Sequence, residues 1–264
     1  MSIKFCSLSS GSSGNCQYVE TDNIRILIDA GFSGKKIEEL LSSIDVCPTS
    51  IDYIFVTHEH LDHIKGVGVL SRRYDIPIYA NKNTWLAMDK KIGNIKEKNI
   101  KIFTTGKHFN INDISIQPIN IFHDASEPVA YVIYYKNRKI SILTDTGWVS
   151  DSIMDNIRAS DLYLIESNHD LQMLKNGRYP WALKQRVMSS RGHLSNDDAG
   201  EVLGKVLKGK GETVLLGHLS KDNNIPDLAI DTVRESVGEK GLNTLKDIKL
   251  GLTYRERHTK IYKL

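Results

Sequence analysis

The sequence has little of what marks secreted, membrane-spanning or disordered proteins. Its 264 residues include three cysteines, Cys6, Cys16 and Cys47, and their odd number and scattered positions argue against a disulfide framework or a C-x-x-C zinc site. No apolar run approaches the roughly 20 residues that a membrane helix needs, and the N-terminus is too weakly apolar for a secretion signal. We therefore expect a cytoplasmic protein with reduced thiols and no membrane association.

The chain also lacks a strong charge imbalance, internal repeats and linkers. Lys and Arg number 35 against 32 Asp and Glu, so the net charge of +3 permits a nucleic-acid partner without indicating one. Hydrophobic residues make up 40%, which is ordinary for a folded globular chain and excludes global disorder. Because no repeat of fixed period and no Pro/Gly/Ser-rich linker divides the chain, we predict a single domain over residues 1–264.

Short apolar stretches with strand character alternate with stretches of helical spacing. We expect strands at residues 3–8, 16–20, 24–28, 51–57, 76–80, 100–104, 114–122, 130–135, 139–144, 162–166 and 213–216, and helices at 33–44, 64–74, 84–91, 150–159 and 227–237. Ser195 stands three residues before Asp198, which indicates a capping box at a helix N-terminus with Asp in place of the usual Glu. The pattern is compatible with an α/β fold class.

The segment T-H-E-H-L-D-H, residues 57–63, places three histidines within six residues at the end of a predicted strand. The side chains of His58 and His60 lie on the same side of an extended backbone, so both imidazoles can reach one cation. Asp62 and His63 follow where the chain turns and could serve a second cation. Imidazole and carboxylate ligands suit Zn, Mn or Fe in the +2 state. Glu59, between two ligands, should point away, either into solvent or towards a ligand that it supports.

The H-x-H-x-D-H pattern after a strand resembles the hallmark of the metallo-β-lactamase superfamily, and further residues extend the resemblance along the chain. Asp29 follows an early strand, His123 and Asp145 follow two later strands, and His218 follows a late one. The resemblance implies an αββα sandwich, a four-layer arrangement with two mixed β-sheets and outer helices.

The same resemblance implies a ligand set for two divalent metal ions. One ion would be held by His58, His60 and His123, the other by Asp62, His63 and His218, with Asp145 bridging both. Asp29 would accept a hydrogen bond from a ligand imidazole and so select its tautomer. Two such ions suit the hydrolysis of phosphodiesters, thioesters or amides, so the metal ligands alone do not choose the substrate.

Later motifs narrow the substrate. G-H-L-S at residues 192–195 and H-L-S-K-D-N-N at 218–224 are similar to elements of the transfer-RNA 3′-processing members of the superfamily. That resemblance places His193 beside the scissile phosphate, where it would stabilise the transition state or protonate the leaving oxygen. An ordinary histidine in a surface loop is the alternative. Ser195, at a helix N-terminus, would offer a phosphate site.

Within the superfamily the chain is most similar to the YycJ- or WalJ-type subfamily. The motifs that carry this likeness are F-C-S-L-S-S-G-S-S-G-N-C at residues 5–16, E-S-N-H-D at 166–170 and G-R-Y-P-W at 177–181. The likeness implies a metal-dependent DNA exonuclease of 5′→3′ polarity with a link to mismatch repair. Between Asp145 and His193 there is no room for the large insertion of the β-CASP nucleases.

Substrate contacts must then come from the core of the chain. The candidates are Ser10 and Asn15 in the Ser/Gly loop, Arg191 and Ser195 around the 192–195 motif, and Lys221 after His218. For the Ser/Gly loop, a plain hairpin turn with no contact to substrate explains the sequence equally well. Tyr179 and Trp181 stand among Lys184, Arg186 and Arg191, a mixture that single strands favour, although an ordinary packed loop explains it equally.

Two other functions compete with a nuclease. A small-molecule hydrolase of the same fold, such as a glyoxalase II-like thioesterase or a cyclic phosphodiesterase, would use the same metal ligands. His193 and the basic segment at residues 178–191 favour a phosphodiester over a thioester. A metal-free scaffold protein is disfavoured because every ligand position is filled.

Overall fold

The structure is a computed structural model that describes residues 2–264. Its strands are β1 (Lys4–Ser9), β2 (Cys16–Glu20), β3 (Arg25–Ile28), β4 (Tyr53–Phe55), β5 (Ile78–Asn81), β6 (Ile100–Phe103), β7 (Phe109–Ile111), β8 (Ile114–Asn120), β9 (Val129–Tyr135), β10 (Arg138–Leu143), β11 (Leu162–Glu166), β12 (Glu212–Gly217), β13 (Ile248–Leu252) and β14 (Tyr262–Lys263). Its α-helices are α1 (Gly34–Ser42), α2 (Leu61–Ile64), α3 (Val67–Tyr74), α4 (Lys82–Ile92), α5 (Asp151–Ile157), α6 (Leu171–Asn176), α7 (Trp181–Val187), α8 (Asn196–Val206) and α9 (Pro226–Glu239).

The chain divides into two compact units. The first comprises residues 2–118, 125–129 and 253–264, and the second comprises residues 119–124 and 130–252. The expectation of a single domain over residues 1–264 stays a prediction.

The first unit contains a seven-stranded mixed sheet in the order β14-β1-β2-β3-β4-β5-β6. β1 to β3 pair antiparallel and β3 to β6 pair parallel. The expected hairpin around the Ser/Gly loop is confirmed, since β1 and β2 are its two strands. Residues of α1, α3 and α4, such as Ile37, Leu70 and Met88, are buried in one apolar cluster with strand residues such as Leu27 and Ile54.

The second sheet is also mixed, in the order β13-β12-β11-β10-β9-β8-β7, and residues 130–252 supply most of it. β10 to β13 run parallel, and β9 pairs antiparallel with β10. α5, α8 and α9 pack their apolar faces into a second core cluster with strand residues such as Val132, Ile165 and Leu216. Parallel strands place their carboxyl ends at one edge of the sheet, where α/β proteins build their sites.

The helix expected at residues 64–74 is wrong at its start, because two helices, α2 and α3, replace it with a break at Gly66. The backbone N–H of Gly66 donates to the carbonyl of Ala30 at 2.8 Å. A Cβ at Gly66 would lie 2.5 Å from the carbonyl oxygen of Phe32. This close approach of two backbones accounts for the glycine at the break.

Two expectations about helix ends and thiols have clear outcomes. The capping box at the start of α8 is confirmed, with Ser195 and Asp198 each bonding the other's backbone N–H. Cys6, Cys16 and Cys47 are free thiols. Across residues 2–264 no helix has the length and apolar character to span a bilayer.

Candidate metal-binding site

In the first unit, the ends of two parallel strands bring Asp29 to the histidine motif. Ile28 pairs with Phe55 in the ladder of β3 and β4, so Asp29 and Thr57 follow at the same sheet edge. One carboxylate oxygen of Asp29 accepts from the backbone N–H of Thr57 at 2.8 Å. The other lies 2.8 Å from the Thr57 hydroxyl and 2.7 Å from Nδ1 of His63. The predicted role of Asp29, to accept a hydrogen bond from the imidazole of a metal ligand, requires such a contact.

The remaining histidines of the motif face one another. Nε2 of His58 lies 3.1 Å from Nδ1 of His60, and the His58 and His63 rings are 4.0 Å apart between centroids. Nε2 of His63 lies 3.6 Å from a carboxylate oxygen of Asp62 and 3.0 Å from the amide nitrogen of Asn15. Nitrogen and oxygen donors thus lie close together at residues 58–63, and their assignment as metal ligands stays a prediction.

Glu59 does not lie in solvent. Its side chain is buried, and one carboxylate oxygen accepts from both the backbone N–H and the hydroxyl of Ser126, at 2.9 and 2.8 Å. The Nζ of Lys91 donates to the Glu59 carbonyl at 3.1 Å. Glu59 therefore anchors Ser126, and the prediction of Glu59 as a solvated residue is wrong.

In the second unit, the register of three parallel strands gathers the acidic and imidazole groups. Leu143 of β10 pairs with Ile165 of β11, and Glu166 at the end of β11 pairs with Gly217 of β12. Asp145, Glu166 and His218 therefore follow one another across a single sheet edge. Nδ1 of His218 lies 2.9 Å from Asp145 and 3.4 Å from Glu166.

Three of the predicted site residues have left-handed backbones although they are not glycine. The φ angles are 63° at Asp29, 59° at Asp145 and 54° at His218. Such conformations cost free energy and persist where the surroundings hold them. At His218 the amide of Asn168 donates to the carbonyl at 2.8 Å, which helps to hold the turn.

His193 joins the same edge from the turn between α7 and α8. Its Nδ1 lies 2.7 Å from Oε1 of Glu166, whose side chain is fully buried. Burial lowers the pKa of the His193 imidazole, but the nearby carboxylate of Glu166 outweighs that effect and raises it above the ordinary value. The His193 ring is also 5.2 Å from the rings of His123 and His218 between centroids.

His123 and the turn before His193 are in contact. Nδ1 of His123 lies 3.2 Å from the carbonyl oxygen of Gly192. Next to His123, the carboxylate of Asp124 accepts a hydrogen bond from Nε of Arg186 on α7. It also forms an ion pair with a terminal nitrogen of the same guanidinium, and both distances are 2.5 Å. Burial lowers the pKa of His123, which favours the neutral imidazole that a metal requires.

The donor set of the second unit fits a divalent metal ion. Asp145, Glu166, His193 and His218 each offer a ligand atom, and these atoms lie within 4.8 Å of one another. Of these four residues, Asp145 and His218 are the predicted ligands, and their carboxylate and imidazole groups suit Zn, Mn or Fe. Glu166 is the member that sequence reasoning missed, because a single Glu at the end of a buried strand carries no pattern of its own. The signal was its place at the end of β11, between the strands that carry Asp145 and His218.

Two of the predicted substrate contacts lie in the loop between β1 and β2. Ser10 is buried, and its backbone N–H donates to the carbonyl of Tyr254 at 2.9 Å. Asn15 is buried too, and its amide is shared between His63 and the carbonyl of Gly11. Both have structural partners, and contact with a substrate stays a prediction.

The other three predicted substrate contacts differ in exposure. The Ser195 hydroxyl belongs to the capping box, where it lies 2.6 Å from the Asp198 carboxylate, and its side chain is buried. Arg191 and Lys221 are exposed in the loops before His193 and after His218. The predicted roles of Ser195, Arg191 and Lys221 likewise stay predictions.

Comparison with known proteins finds relatives over nearly the whole chain. A family model described as "Beta-lactamase superfamily domain" matches residues 24–218. The chain is 42% identical over 261 residues to "Exodeoxyribonuclease YycJ" of Bacillus anthracis, covering 99% of each sequence. It is 44% identical over 250 residues to "Exodeoxyribonuclease WalJ" of Streptococcus pneumoniae, covering 94% of this chain and 93% of that one.

Solved structures show the same fold at much lower identity. The metallo-beta-lactamase fold protein YhfI from Bacillus subtilis superposes with a TM-score of 0.76 over 100% of both chains, at 16% identity. That likeness shows the fold alone. It confirms the predicted fold class, the αββα sandwich with two mixed sheets and flanking helices.

Proposed function

Because this chain belongs to the beta-lactamase superfamily, we propose that it is a metal-dependent hydrolase that cleaves phosphodiester bonds in DNA. Two proteins named exodeoxyribonucleases share 42% and 44% identity with it over almost its full length. An exonuclease is the activity that these relatives support.

The metal ligands are part of the proposal. His58, His60 and His123 would hold one divalent ion and Asp62, His63 and His218 the other, with Asp145 shared, as the family resemblance implies. Ions held by these residues would lower the pKa of a bound water to near neutral and would offset negative charge on the phosphate. Asp29 fixes the proton of His63 on Nδ1, so that Nε2 keeps its lone pair for a ligand bond.

The proton chemistry belongs to His193 and Glu166. Since Nδ1 of His193 faces the buried Glu166 carboxylate at 2.7 Å, the free nitrogen of the ring is Nε2. The carboxylate raises the pKa of the imidazole and so favours its protonated form. A protonated His193 can donate from Nε2 to a phosphate oxygen or to the leaving oxygen.

The Glu166–His193 pair is the observation that carries the phosphodiester assignment. Hydrolysis of a phosphodiester expels an alkoxide, which needs a proton, whereas a thioester expels a thiolate that leaves without one at neutral pH. An imidazole whose pKa is raised by Glu166, beside Asp145 and His218, is suited to supply that proton. The basic character of residues 171–196 adds affinity for a polyanion.

The finer parts of the function are those that the resemblance to the YycJ- or WalJ-type subfamily implies. We infer 5′→3′ polarity, action in the cytoplasm and a contribution to mismatch repair. A small-molecule hydrolase of the same fold, such as a thioesterase or a cyclic phosphodiesterase, is the competing function.

One assay separates these functions. The purified protein is incubated with DNA labelled at its 5′ end, with an S-acyl glutathione thioester and with a cyclic mononucleotide, each in Mn²⁺ and in Zn²⁺. We expect stepwise loss of nucleotides from DNA, abolished by EDTA, and little turnover of the two small substrates. Faster turnover of either small substrate than of DNA would overturn the proposal. Comparing DNA labelled at the 5′ end with DNA labelled at the 3′ end shows the polarity of degradation.

A further inference from the structure

A buried hydroxyl, that of Thr57, lies between Asp29 and two histidines of the first unit. Thr57 is 4% exposed, and its Oγ1 lies 2.8 Å from Oδ2 of Asp29. The same oxygen is 3.0 Å from Nδ1 of His58 and 3.2 Å from Nδ1 of His63. A side chain that is not itself a predicted ligand thus contacts two residues that are.

The hydrogen bonds of Thr57 fix the direction in which its proton points. An ionised carboxylate only accepts hydrogen bonds, so Oδ2 of Asp29 pairs with the hydroxyl of Thr57 only if Thr57 donates. Because a hydroxyl has a single proton, the Thr57 oxygen can then only accept from its other neighbours. Nδ1 of His58 must therefore carry a proton in order to bond Thr57. In the same way, Nδ1 of His63 carries a proton in order to bond Asp29 at 2.7 Å.

This arrangement leaves the Nε2 lone pairs of both imidazoles available. A neutral imidazole has one ring proton, and a metal ion binds through the nitrogen that lacks it. Nε2 of His58 lies 3.1 Å from Nδ1 of His60, and Nε2 of His63 lies 3.6 Å from a carboxylate oxygen of Asp62. The unprotonated nitrogens are thus the ones that lie next to other predicted ligands.

We propose that Thr57 is a positioning residue that connects Asp29 to His58, so that one carboxylate selects the tautomers of both His58 and His63. We call this path from Asp29 through the hydroxyl to His58 the Thr57 relay. Asp29 contacts His63 directly, whereas its hydrogen-bonded path to His58 runs through Thr57. The relay rests on the proposed function, because it gives Thr57 a part in binding the metal ions of the hydrolase.

The tautomer of each imidazole is measured by long-range ¹H–¹⁵N NMR, in which protonated and unprotonated ring nitrogens have different chemical shifts. Spectra are recorded on the full-length protein in EDTA at about pH 8.5, well above the ordinary pKa of histidine. We expect His58 of the wild type to carry its proton on Nδ1, and His58 of Thr57→Val to shift towards the Nε2 tautomer. A wild-type His58 protonated on Nε2, or the same tautomer in both proteins, would overturn the Thr57 relay.

Affinity for Zn²⁺, measured by competition with a chromophoric chelator, tests the consequence for metal binding. Loss of a hydrogen-bond partner behind a metal ligand typically costs 10–100-fold, so Thr57→Val should weaken the binding of at least one Zn²⁺ ion by about that factor. Thr57→Ser keeps the hydroxyl and should lose less than about tenfold. Equal affinities of Thr57→Val and wild type, or equal losses in Thr57→Ser and Thr57→Val, would contradict a role of the hydroxyl.

Thr84→Val is the matched control for the loss of a buried threonine hydroxyl. Thr84 lies on α4 in the same unit, is fully buried, and its hydroxyl donates to the Glu127 carbonyl at 3.4 Å. We expect Thr84→Val to keep both the tautomer of His58 and the affinity for Zn²⁺. If Thr57→Val is less stable in urea but matches Thr84→Val in tautomer and in affinity, the role of Thr57 is purely structural and the relay is refuted.

Asp29→Ala tests the relay from its other end. Without the carboxylate, the proton of the Thr57 hydroxyl is free to point at Nδ1 of His58. We therefore expect Asp29→Ala to change the tautomer of His58 as well as that of His63. A change at His63 alone would show that Thr57 transmits nothing from Asp29 to His58.

The proposed function is judged separately with the same preparations. Wild-type protein that degrades DNA in Mn²⁺, while Thr57→Val keeps the wild-type tautomer and Zn²⁺ affinity, would refute the relay and leave the nuclease standing. Wild-type protein and variants that show the expected tautomers and Zn²⁺ affinities but cleave no DNA would refute the nuclease and not the relay.

Discussion

Oε1 of Glu166 lies 2.7 Å from Nδ1 of His193, and the two residues come from different elements of the second unit. Glu166 ends β11, in the middle of the parallel part of the sheet, and is fully buried. His193 lies in a turn and is only partly covered. The buried carboxylate thus orients the partly exposed imidazole and favours its protonated form.

That relationship predicts the effect of removing the imidazole. His193→Ala should keep its full metal content but lose at least about a hundredfold in kcat on DNA, because a proton donor contributes roughly 10²–10⁴-fold. KM should change much less, because the contact strengthens mainly in the transition state. Steady-state kinetics and elemental analysis measure the two quantities. Loss of metal would instead make His193 a ligand, and unchanged activity would make it an ordinary loop histidine.

Glu166→Gln tests the orienting role by a different route. The amide still accepts a hydrogen bond from His193 but removes the negative charge that raises the pKa of the imidazole. We expect the basic limb of the kcat profile against pH to move to lower pH, with a loss of activity at neutral pH. An unchanged profile would show that the charge of Glu166 does not act on His193.

Asp145 is predicted to be shared by both metal ions. Asp145→Ala should therefore lower the content of both, measured by mass spectrometry of the protein after reconstitution with Mn²⁺ or Zn²⁺. Asp197→Ala is the matched control, because Asp197 is an exposed carboxylate on α8. If Asp145→Ala binds as much metal as the control does, Asp145 has no ligand role.

Gly147 allows the turn that carries His193 to pack closely. A Cβ there would lie 2.2 Å from the Ser189 carbonyl oxygen and 2.5 Å from the Gly192 nitrogen, both backbone atoms. Gly147→Ala should therefore displace the turn, cost about 1–3 kcal/mol of unfolding free energy and lower kcat. Gly238→Ala in α9 meets no atom within 4 Å and should stabilise by about 0.5–1 kcal/mol. Urea unfolding of both variants decides whether close packing accounts for Gly147.

His169 gives the folded state a sensitivity to acid. Burial lowers the pKa of its imidazole to about 4, and its Nδ1 has no hydrogen-bond partner among the described residues. The unfolded chain binds a proton at His169 below about pH 6.5, whereas the folded chain does so only near pH 4. Unfolding free energy should thus fall with falling pH across this window, by up to about 1.4 kcal/mol per unit from His169. Subtracting the His169→Asn curve from that of the wild type should isolate this slope, and parallel curves would contradict it.

Local sequence, together with its resemblance to the metallo-β-lactamase superfamily, was sufficient to predict most candidate site residues. The H-x-H-x-D-H segment carries its own spacing, and the order of Asp29, His123, Asp145 and His218 after predicted strands places each at a strand end. The capping box at Ser195 could also be predicted from local sequence, because its two residues are only three positions apart. Each of these features depends on interactions within one short segment or on the order of strands.

Contacts between distant segments decided the rest. Glu166 reaches His193 because the register of β10, β11 and β12 aligns three strand ends, which no local pattern encodes. Glu59 is buried because Ser126, 67 residues later, folds onto it. The helix expected at residues 64–74 breaks at Gly66 because the backbone near Ala30 approaches it. Periodicity reports the face that one segment buries, whereas the partner of a buried polar group depends on which other segment the fold brings to it.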